Sequence, residues 1–307
     1  MPVTVKAVLP MAGGPPTYTY FYGTAAANML SGGASNDYID GKEGDDILYG
    51  QGGADWILGG EGNDIADGGG DGDKLDGGNG NDYLYGGAGH DALYGGVCHD
   101  SLNGAEGQDW IQGGDGNDVI WGGIGNDTVY AGTGNDKIQG NDGDDYLVGD
   151  LGFDLIEGGV GNDLLFGSAG DVLKGGDGND VLRWDDSGGF AQMWGGEGDD
   201  IIYIKADLVQ AGGSSTIGLS NPDADILVID KDWHGVAVIY GLGDPDTVEL
   251  HGFTVDDIWF SENDQGMLDM HLEGGGKVTF YDYNGGYNGG PQFDWVTELN
   301  IQFVPDV

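Results

Sequence analysis

The chain has 307 residues, room for one large domain or two modest ones, and 67 of them are glycine. Only 8 are proline and glycine does not recur at every third position, which excludes a collagen helix. With 54 acidic against 9 basic residues the net charge is -45, so nucleic acid, anionic membrane surfaces and polyanionic substrates are poor partners, and cations are natural ones.

A lone cysteine excludes an internal disulfide. No run approaches the roughly 18 apolar residues of a transmembrane helix. A hydrophobic content of 38%, with 10% aromatic, argues against a disordered chain. In residues 1–22 a short apolar stretch after Lys6 is broken by Pro10, Pro15 and Pro16, unlike a signal peptide. Alternation from Thr17 to Tyr22 predicts an arm or first strand at one end of the fold, paired to its own chain or to a neighbour.

From Gly32 the sequence steps in nines. Fifteen units run without insertion through the one that starts at Gly158; then come an eight-residue unit at Gly167, a full unit at Gly175 and, after an irregular stretch 184–194, one more at Gly195. Gly23–Ser31 is a worn first unit with Asn28 where the others carry Asp. Position 6 is aspartate in all eighteen units: Asp37, Asp46, Asp55, Asp64, Asp73, Asp82, Asp91, Asp100, Asp109, Asp118, Asp127, Asp136, Asp145, Asp154, Asp163, Asp171, Asp180 and Asp200. Position 8 is Ile, Leu or Val everywhere except Ala66, and position 4 is Gly except at Ser35, Asp71 and Cys98.

So short and glycine-rich a unit cannot be a helical hairpin. It divides into a turn, positions 1–6, and a three-residue strand, positions 7–9, with position 8 inward and positions 7 and 9 outward. Two units make one coil with a strand on each side, and coils stack at about 4.8 Å. The expected fold is therefore all-β, a two-sided parallel β-roll around two thin rows of aliphatic side chains. Position-6 aspartates of units two apart share an edge, one strand spacing from each other. Bare carboxylates at that distance repel by roughly 1 kcal/mol in water and several at an effective dielectric near 20. Cations between the rungs reverse the sign, and an all-oxygen set of carboxylates and turn carbonyls on a flexible loop favours Ca²⁺ over Mg²⁺. Seventeen contiguous units offer at most fifteen same-edge pairs, and fifteen divalent ions would cancel 30 of the 45 excess charges. Metal binding becomes a condition of folding. Turn capping alone would tolerate Asn or Ser at position 6, and neither occurs in the eighteen units from Gly32 onward.

Units such as GGDGNDVIW (113–121), GGIGNDTVY (122–130) and GGVGNDLLF (158–166) resemble the GGxGxDxUx repeat of the RTX, or repeats-in-toxin, family over about residues 23–203. The resemblance implies a parallel β-roll with several Ca²⁺ ions between turns, ligated by the position-6 aspartates and backbone carbonyls. It also implies export through type I secretion machinery and folding outside the cell. Asp71, Cys98 and the short unit at Gly167 depart from the pattern and put the sites touching those turns in question.

Beyond residue 203 glycine thins and β-type runs appear at 224–230, 235–242, 246–253, 256–260, 267–273, 277–283 and 296–304. Several alternate with period two, as half-buried antiparallel strands do. This stretch resembles the β-rich segment that closes RTX rolls, a capping domain over 204–307, and in that family the extreme C-terminus carries a secretion signal. The three domains expected are thus the 1–22 arm, the 23–203 roll and the 204–307 cap.

No HExxH or GxSxG motif is present, and the acidic and His residues of 204–307 show no catalytic spacing, so no enzyme is expected. Cys98 with His99, and His90 one unit earlier, read as drift, with the two histidines on opposite edges; His234, His251 and His271 read as ordinary strand or loop residues. Outward aromatics fall on both faces, with Tyr38, Trp56, Tyr94, Trp110, Tyr130, Tyr146 and Phe166 on one and Tyr49, Tyr83, Tyr85 and Trp121 on the other. The expected function is that of a secreted calcium-binding roll acting as a structural surface-layer, filament or matrix component, self-assembling through roll ends or aromatic faces. The alternatives are a monomeric adhesin that binds a host surface or polysaccharide and, third, an enzyme using 204–307.

Overall fold

A computed structural model describes residues 5–7, 18–186, 192–206, 214–218, 224–230, 236–240, 246–254, 257–262, 268–272, 277–281 and 301–304. The architecture is all-β, a parallel β-solenoid, and the chain divides into two compact units, Met1–Asp154 and Leu155–Val307. Residues 1–4 and 8–17, His234 and residues 305–307, which include most of the N-terminal arm and the end of the expected secretion signal, lie outside the described residues.

In the first unit, consecutive strands alternate between two sheets. One sheet stacks Thr19–Tyr22, Asp37–Glu43, Trp56–Glu61, Lys74–Asn79, Ala92–Val97, Trp110–Asp115, Thr128–Thr133 and Tyr146–Leu151. The other stacks Met29–Ser31, Ile47–Gly52, Ile65–Gly70, Tyr83–Ala88, Ser101–Glu106, Val119–Ile124 and Lys137–Asp142. All of these neighbours are parallel, with partners eighteen residues apart, as in Ile57 with Leu75 and Leu102 with Ile120. Val5–Ala7 adds one antiparallel strand outside Thr19–Tyr22.

The strands are longer than the pattern suggests. Between Ile47 and Val160 each covers positions 7–9 and continues through positions 1–3 of the next unit, as Trp56–Glu61 does, so the turn is only positions 4–6. Glycine-rich positions 1–3 read as turn because glycine is a poor strand former; ladder pairing, however, uses backbone groups and needs no side chain. The chain bends at position 1, and position 2 takes a left-handed φ, as in Gly60 (114°) and Gly123 (126°). That conformation suits glycine.

Position 8 forms the core. Leu30, Ile39, Leu48, Ile57, Leu75, Leu84, Leu93 and Leu102 are fully buried, and Ala66 sits in the same row between Leu48 and Leu84. Removing each such side chain from water stabilises by roughly 1.5–3 kcal/mol. Outward rings meet along the face of the first sheet, Tyr38 edge-on to Trp56 at 5.4 Å and Trp110 tilted against Tyr130 at 5.1 Å.

In the second unit, one sheet stacks Leu164–Gly167, Val181–Asp186, Ile201–Ala206, Ile226–Asp230, Thr247–His251 and Ile301–Val304, all parallel. The other runs parallel from Leu155–Val160 through Val172–Asp177, Gln192–Glu197, Ser214–Gly218 and Val236–Tyr240 to Lys277–Tyr281. Only then do Leu268–Leu272 and Ile258–Glu262 pair antiparallel, at its edge. The antiparallel expectation for 204–307 is thus corrected: among the described residues solenoid winding continues there, and antiparallel pairing is confined to one edge. Period-two alternation reports which face is buried, and a solenoid strand with one face inward alternates as a hairpin strand does.

Candidate metal centre

The position-6 aspartates stand where each turn re-enters a strand, their side chains drawn inside the edge of the roll. All eighteen are at most 3% exposed. In the first unit they form two columns. Along one, the Asp37 amide donates to Asp55 Oδ1 at 2.7 Å, Asp55 to Asp73 at 2.7 Å, Asp73 to Asp91 at 2.7 Å, Asp91 to Asp109 at 2.8 Å and Asp109 to Asp127 at 2.8 Å. Along the other, Asp46, Asp64, Asp82, Asp100, Asp118, Asp136 and Asp154 are joined in the same way, and Asn28 enters at the start by donating to Asp46 Oδ1 at 2.6 Å. Asp145 belongs to the first column and accepts from Asp127 at 2.8 Å.

In the second unit Asp163 donates to Asp180 at 2.8 Å and Asp180 to Asp200 at 2.9 Å. The ladder then continues to two residues outside the repeat pattern, Asp225 at 3.0 Å and Asp246 at 3.1 Å, which are 1% and 3% exposed. Both precede a β-run in the sequence, as every position-6 Asp does, but the nine-residue frame is lost there and spacing alone does not find them. Asp171, in the short unit, accepts through Oδ2 from the Ser168 amide. Asp73 and Asp100 sit in the columns like their neighbours, because Asp71 (φ 70°) and Cys98 (φ 89°) adopt the left-handed turn conformation that glycine supplies elsewhere.

Oδ1 is therefore engaged along the columns. Oδ2 is not: in Asp46, Asp55, Asp64, Asp73, Asp82, Asp91, Asp100, Asp109, Asp118, Asp127 and Asp180 it is buried with no hydrogen-bond donor. It also faces another acceptor. Asp118 Oδ2 and the Ala131 carbonyl both lie 2.5 Å from the point that a Cβ on Gly113 would occupy; around Gly122 the corresponding distances are 2.5 Å to Asp127 Oδ2 and 2.7 Å to the Gly140 carbonyl. A carboxylate oxygen and a carbonyl from the next coil thus lie on the same point with no protein hydrogen-bond donor for the carboxylate, a cradle that suits a hard cation. Among the described residues no three His, Cys, Asp or Glu side chains converge, so backbone carbonyls have to complete any such site.

Electrostatics point the same way. Burial pushes these carboxyls up against weaker relief from the backbone amide: Asp64, Asp91 and Asp118 to about 6, Asp55, Asp82, Asp100 and Asp127 to about 7, Asp73 and Asp180 to about 8. Without a cation the columns hold protons near neutrality.

Position 5 carries a second ladder, which the repeat pattern did not reveal. The Asn81 amide donates to Asn63 Oδ1 at 2.8 Å, His99 to Asn81 at 2.9 Å, and Asn135 to Asn117 at 2.8 Å. His90 and His99 belong to it, since their Nδ1 atoms accept from the Gln108 amide at 2.8 Å and the Asn117 amide at 2.7 Å. An imidazole Nδ1 replaces the amide oxygen, so the histidines have a definite role rather than being drift, and they do sit on opposite edges. The signal available in the sequence was the excess of Asn at that position. His251 pairs with Glu249 at 3.0 Å; His271 meets Ser261 Oγ at 2.7 Å and stacks on Trp259.

No curated protein sequence matches the chain. Among solved structures, the extracellular lipase LipA from Serratia marcescens is 19% identical over 85% of this chain and 37% of its own, with a TM-score of 0.18, which assigns neither fold nor activity here. This chain spans little more than a third of the length of that lipase. A family model described as the RTX calcium-binding nonapeptide repeat matches in successive copies that together span residues 22–183 and 188–203. These repeats are calcium-binding, with several copies in the chain, and no described helix is long and apolar enough to cross a membrane. With more than half its length so matched, and wound in the two-sided solenoid that the nine-residue period demands, the chain belongs to the RTX calcium-binding repeat family.

Proposed function

We propose that this is a secreted protein whose roll forms on Ca²⁺ outside the cell, after export by type I secretion machinery, and whose product is structural, a component of a surface layer, filament or matrix. The observation that carries the calcium-dependent part is the buried Oδ2 row, each oxygen facing a carbonyl of the next coil. The position-6 aspartates, Asp37 through Asp200, would hold the ions with those carbonyls; bound Ca²⁺ supplies charge neutralisation and a link between coils. The chain's own residues supply the rest, since Oδ1 fixes the carboxylates from Asp46 to Asp154, and those of Asp180 and Asp200, against the preceding coil, and the position-8 row excludes water.

Support for assembly is found in apolar side chains left in solvent, Ile124 at 58% and Leu151 at 68% exposure at the ends of their strands and Phe153 at 65% in a turn. The strand Met29–Ser31 also ends its sheet, with no further strand paired outside it among the described residues. Such edges and patches are where chains add to one another. The test is light scattering and electron microscopy of the purified protein with chelator and with millimolar Ca²⁺. Ordered particles that grow only in Ca²⁺ and are lost in the double variant L151S/F153S are expected; a monodisperse monomer in Ca²⁺ at high concentration would remove the structural role. The adhesin reading is favoured by one feature, a groove on the outer face of the second sheet.

A further inference from the structure

On that outer face, the row of side chains at positions 7 and 9 is uneven. Tyr83 stands at one side and Trp121 at the other, while the short Ser101 and Asn103 lie between them in register. The dip is an open groove of about 490 Å³ lined by Tyr83, Asn103, Trp121, Ile124, Asn141 and Asp142, with Gly123 leaving its floor bare. Tyr83 is 44% exposed. The Trp121 ring is held in place, its Nε1–H donating to Gln139 Oε1 at 2.9 Å. Asn141 is anchored through Nδ2 on the Gln139 carbonyl at 3.2 Å, which leaves its Oδ1 as an acceptor.

We infer that this groove binds a neutral pyranose unit of a glycan. Two aromatic rings offer flat apolar surface to the C–H face of a sugar ring. The Asn103 and Asn141 amides and the Asp142 carboxylate offer both donors and acceptors to its equatorial hydroxyls. Charge selects within the class: at -45 overall, and with Asp142 in the groove, uronate and sulfated polymers are repelled. The site uses neither the position-6 aspartates nor the sheet edge and shares only Ile124 with the apolar side chains named above, so it is separable from an assembly through Leu151 and Phe153 and needs only a folded roll.

The test is calorimetric titration of the full chain in millimolar Ca²⁺ with soluble neutral hexasaccharides (cellohexaose, laminarihexaose, maltohexaose and N-acetyl-chitohexaose) and, separately, with an oligouronate. At least one neutral hexasaccharide should bind. W121A and Y83A should each weaken it tenfold or more, and N103A and N141G several-fold. N141G removes the amide at a left-handed residue (φ 77°) without adding strain. Y49A, an exposed ring on the same face outside the groove, should leave binding unchanged. Each variant's circular dichroism and Ca²⁺ midpoint separate loss of the site from loss of the roll. Binding by none of the four, binding indifferent to W121A and Y83A in folded protein, or tighter binding of the oligouronate would each overturn the inference.

Discussion

A carboxylate with one oxygen engaged and the other buried beside a carbonyl is stable only if something positive joins it, and in this chain that something is a proton or a metal. Asp55, Asp64, Asp73, Asp82 and Asp180 have an ordinary value of 3.8, and burial pushes them up to about 6 to 8 in the folded roll. Between those limits the folded state holds more protons than the unfolded one, so stability of the metal-free roll falls as pH rises from about 4 to about 8. In chelator, circular dichroism should show more β structure at pH 5 than at pH 8. Calcium has to displace the same protons, so its midpoint should fall to lower concentration as pH rises from 6 to 8. Two substitutions probe the turn itself. Ala131 is fully buried at a position that is glycine in every other unit, and its methyl occupies the place equivalent to the cradle between the two oxygens. A131G should tighten Ca²⁺ binding at the neighbouring rung, seen as a lower Ca²⁺ midpoint. Cys98 holds a φ of 89° where glycine is the relaxed choice, so C98G should raise stability in Ca²⁺ by about 1 kcal/mol, measured as thermal midpoint.

At the level of the strand, three ladders run side by side in the first unit: aliphatic side chains at position 8, carboxylates at position 6 and, interrupted at Ala54, Gly72 and Phe153, acceptors at position 5. The first two were legible in the sequence because each demands one kind of side chain. Leu102 could only point inward, and Asp100 only toward its partners two units away. The third was not, because Asn, Asp and His all present an acceptor at the same distance from Cβ, and a position that accepts all three looks like drift. Strand length was misjudged for a related reason. Gly59, Gly60 and Glu61 carry nothing that marks a strand, yet Gly60 and Glu61 pair with Gly78 and Asn79. Strand direction after residue 203 was also out of reach, since Val248 and Leu250 would alternate inward in either sense. Because the position-8 row is only one side chain deep on each sheet, Leu102→Ala should cost about 2–5 kcal/mol, read from denaturant midpoints in saturating Ca²⁺. A rung truncated there has no second layer to relax into it.

For the molecule as a whole, 54 acidic residues against 9 basic ones set the terms. Net repulsion of this size opposes any compact state, and a chain with 67 glycines loses much conformational freedom on ordering. Burial in a thin core does not offset both. With chelator at pH 8 the chain should give a coil-like circular dichroism spectrum and turn β-rich on millimolar Ca²⁺. The transition should be cooperative, since each column residue accepts from the coil before it and donates to the coil after it, and a rung has no partner until its neighbour is placed. A compact, ordered metal-free chain at pH 8 would contradict this. Solenoid winding beyond residue 203, with Asp225 and Asp246 prolonging the column, means that cooperative response should reach past the last recognisable repeat. D225A should therefore raise the Ca²⁺ midpoint even though no repeat motif contains it.

Alternation of successive units between the two sheets gives the chain a parity. Duplicating a single nine-residue unit between Tyr83 and Trp121 would leave every backbone rung satisfiable but send everything downstream to the opposite side, so that the two rings would look away from each other. Duplicating a pair would keep them on one side and only widen their separation by a coil, about 4.8 Å. A protein of this design can lengthen by even steps without rewriting its surfaces, while an odd step is a mirror-like exchange of its two exteriors.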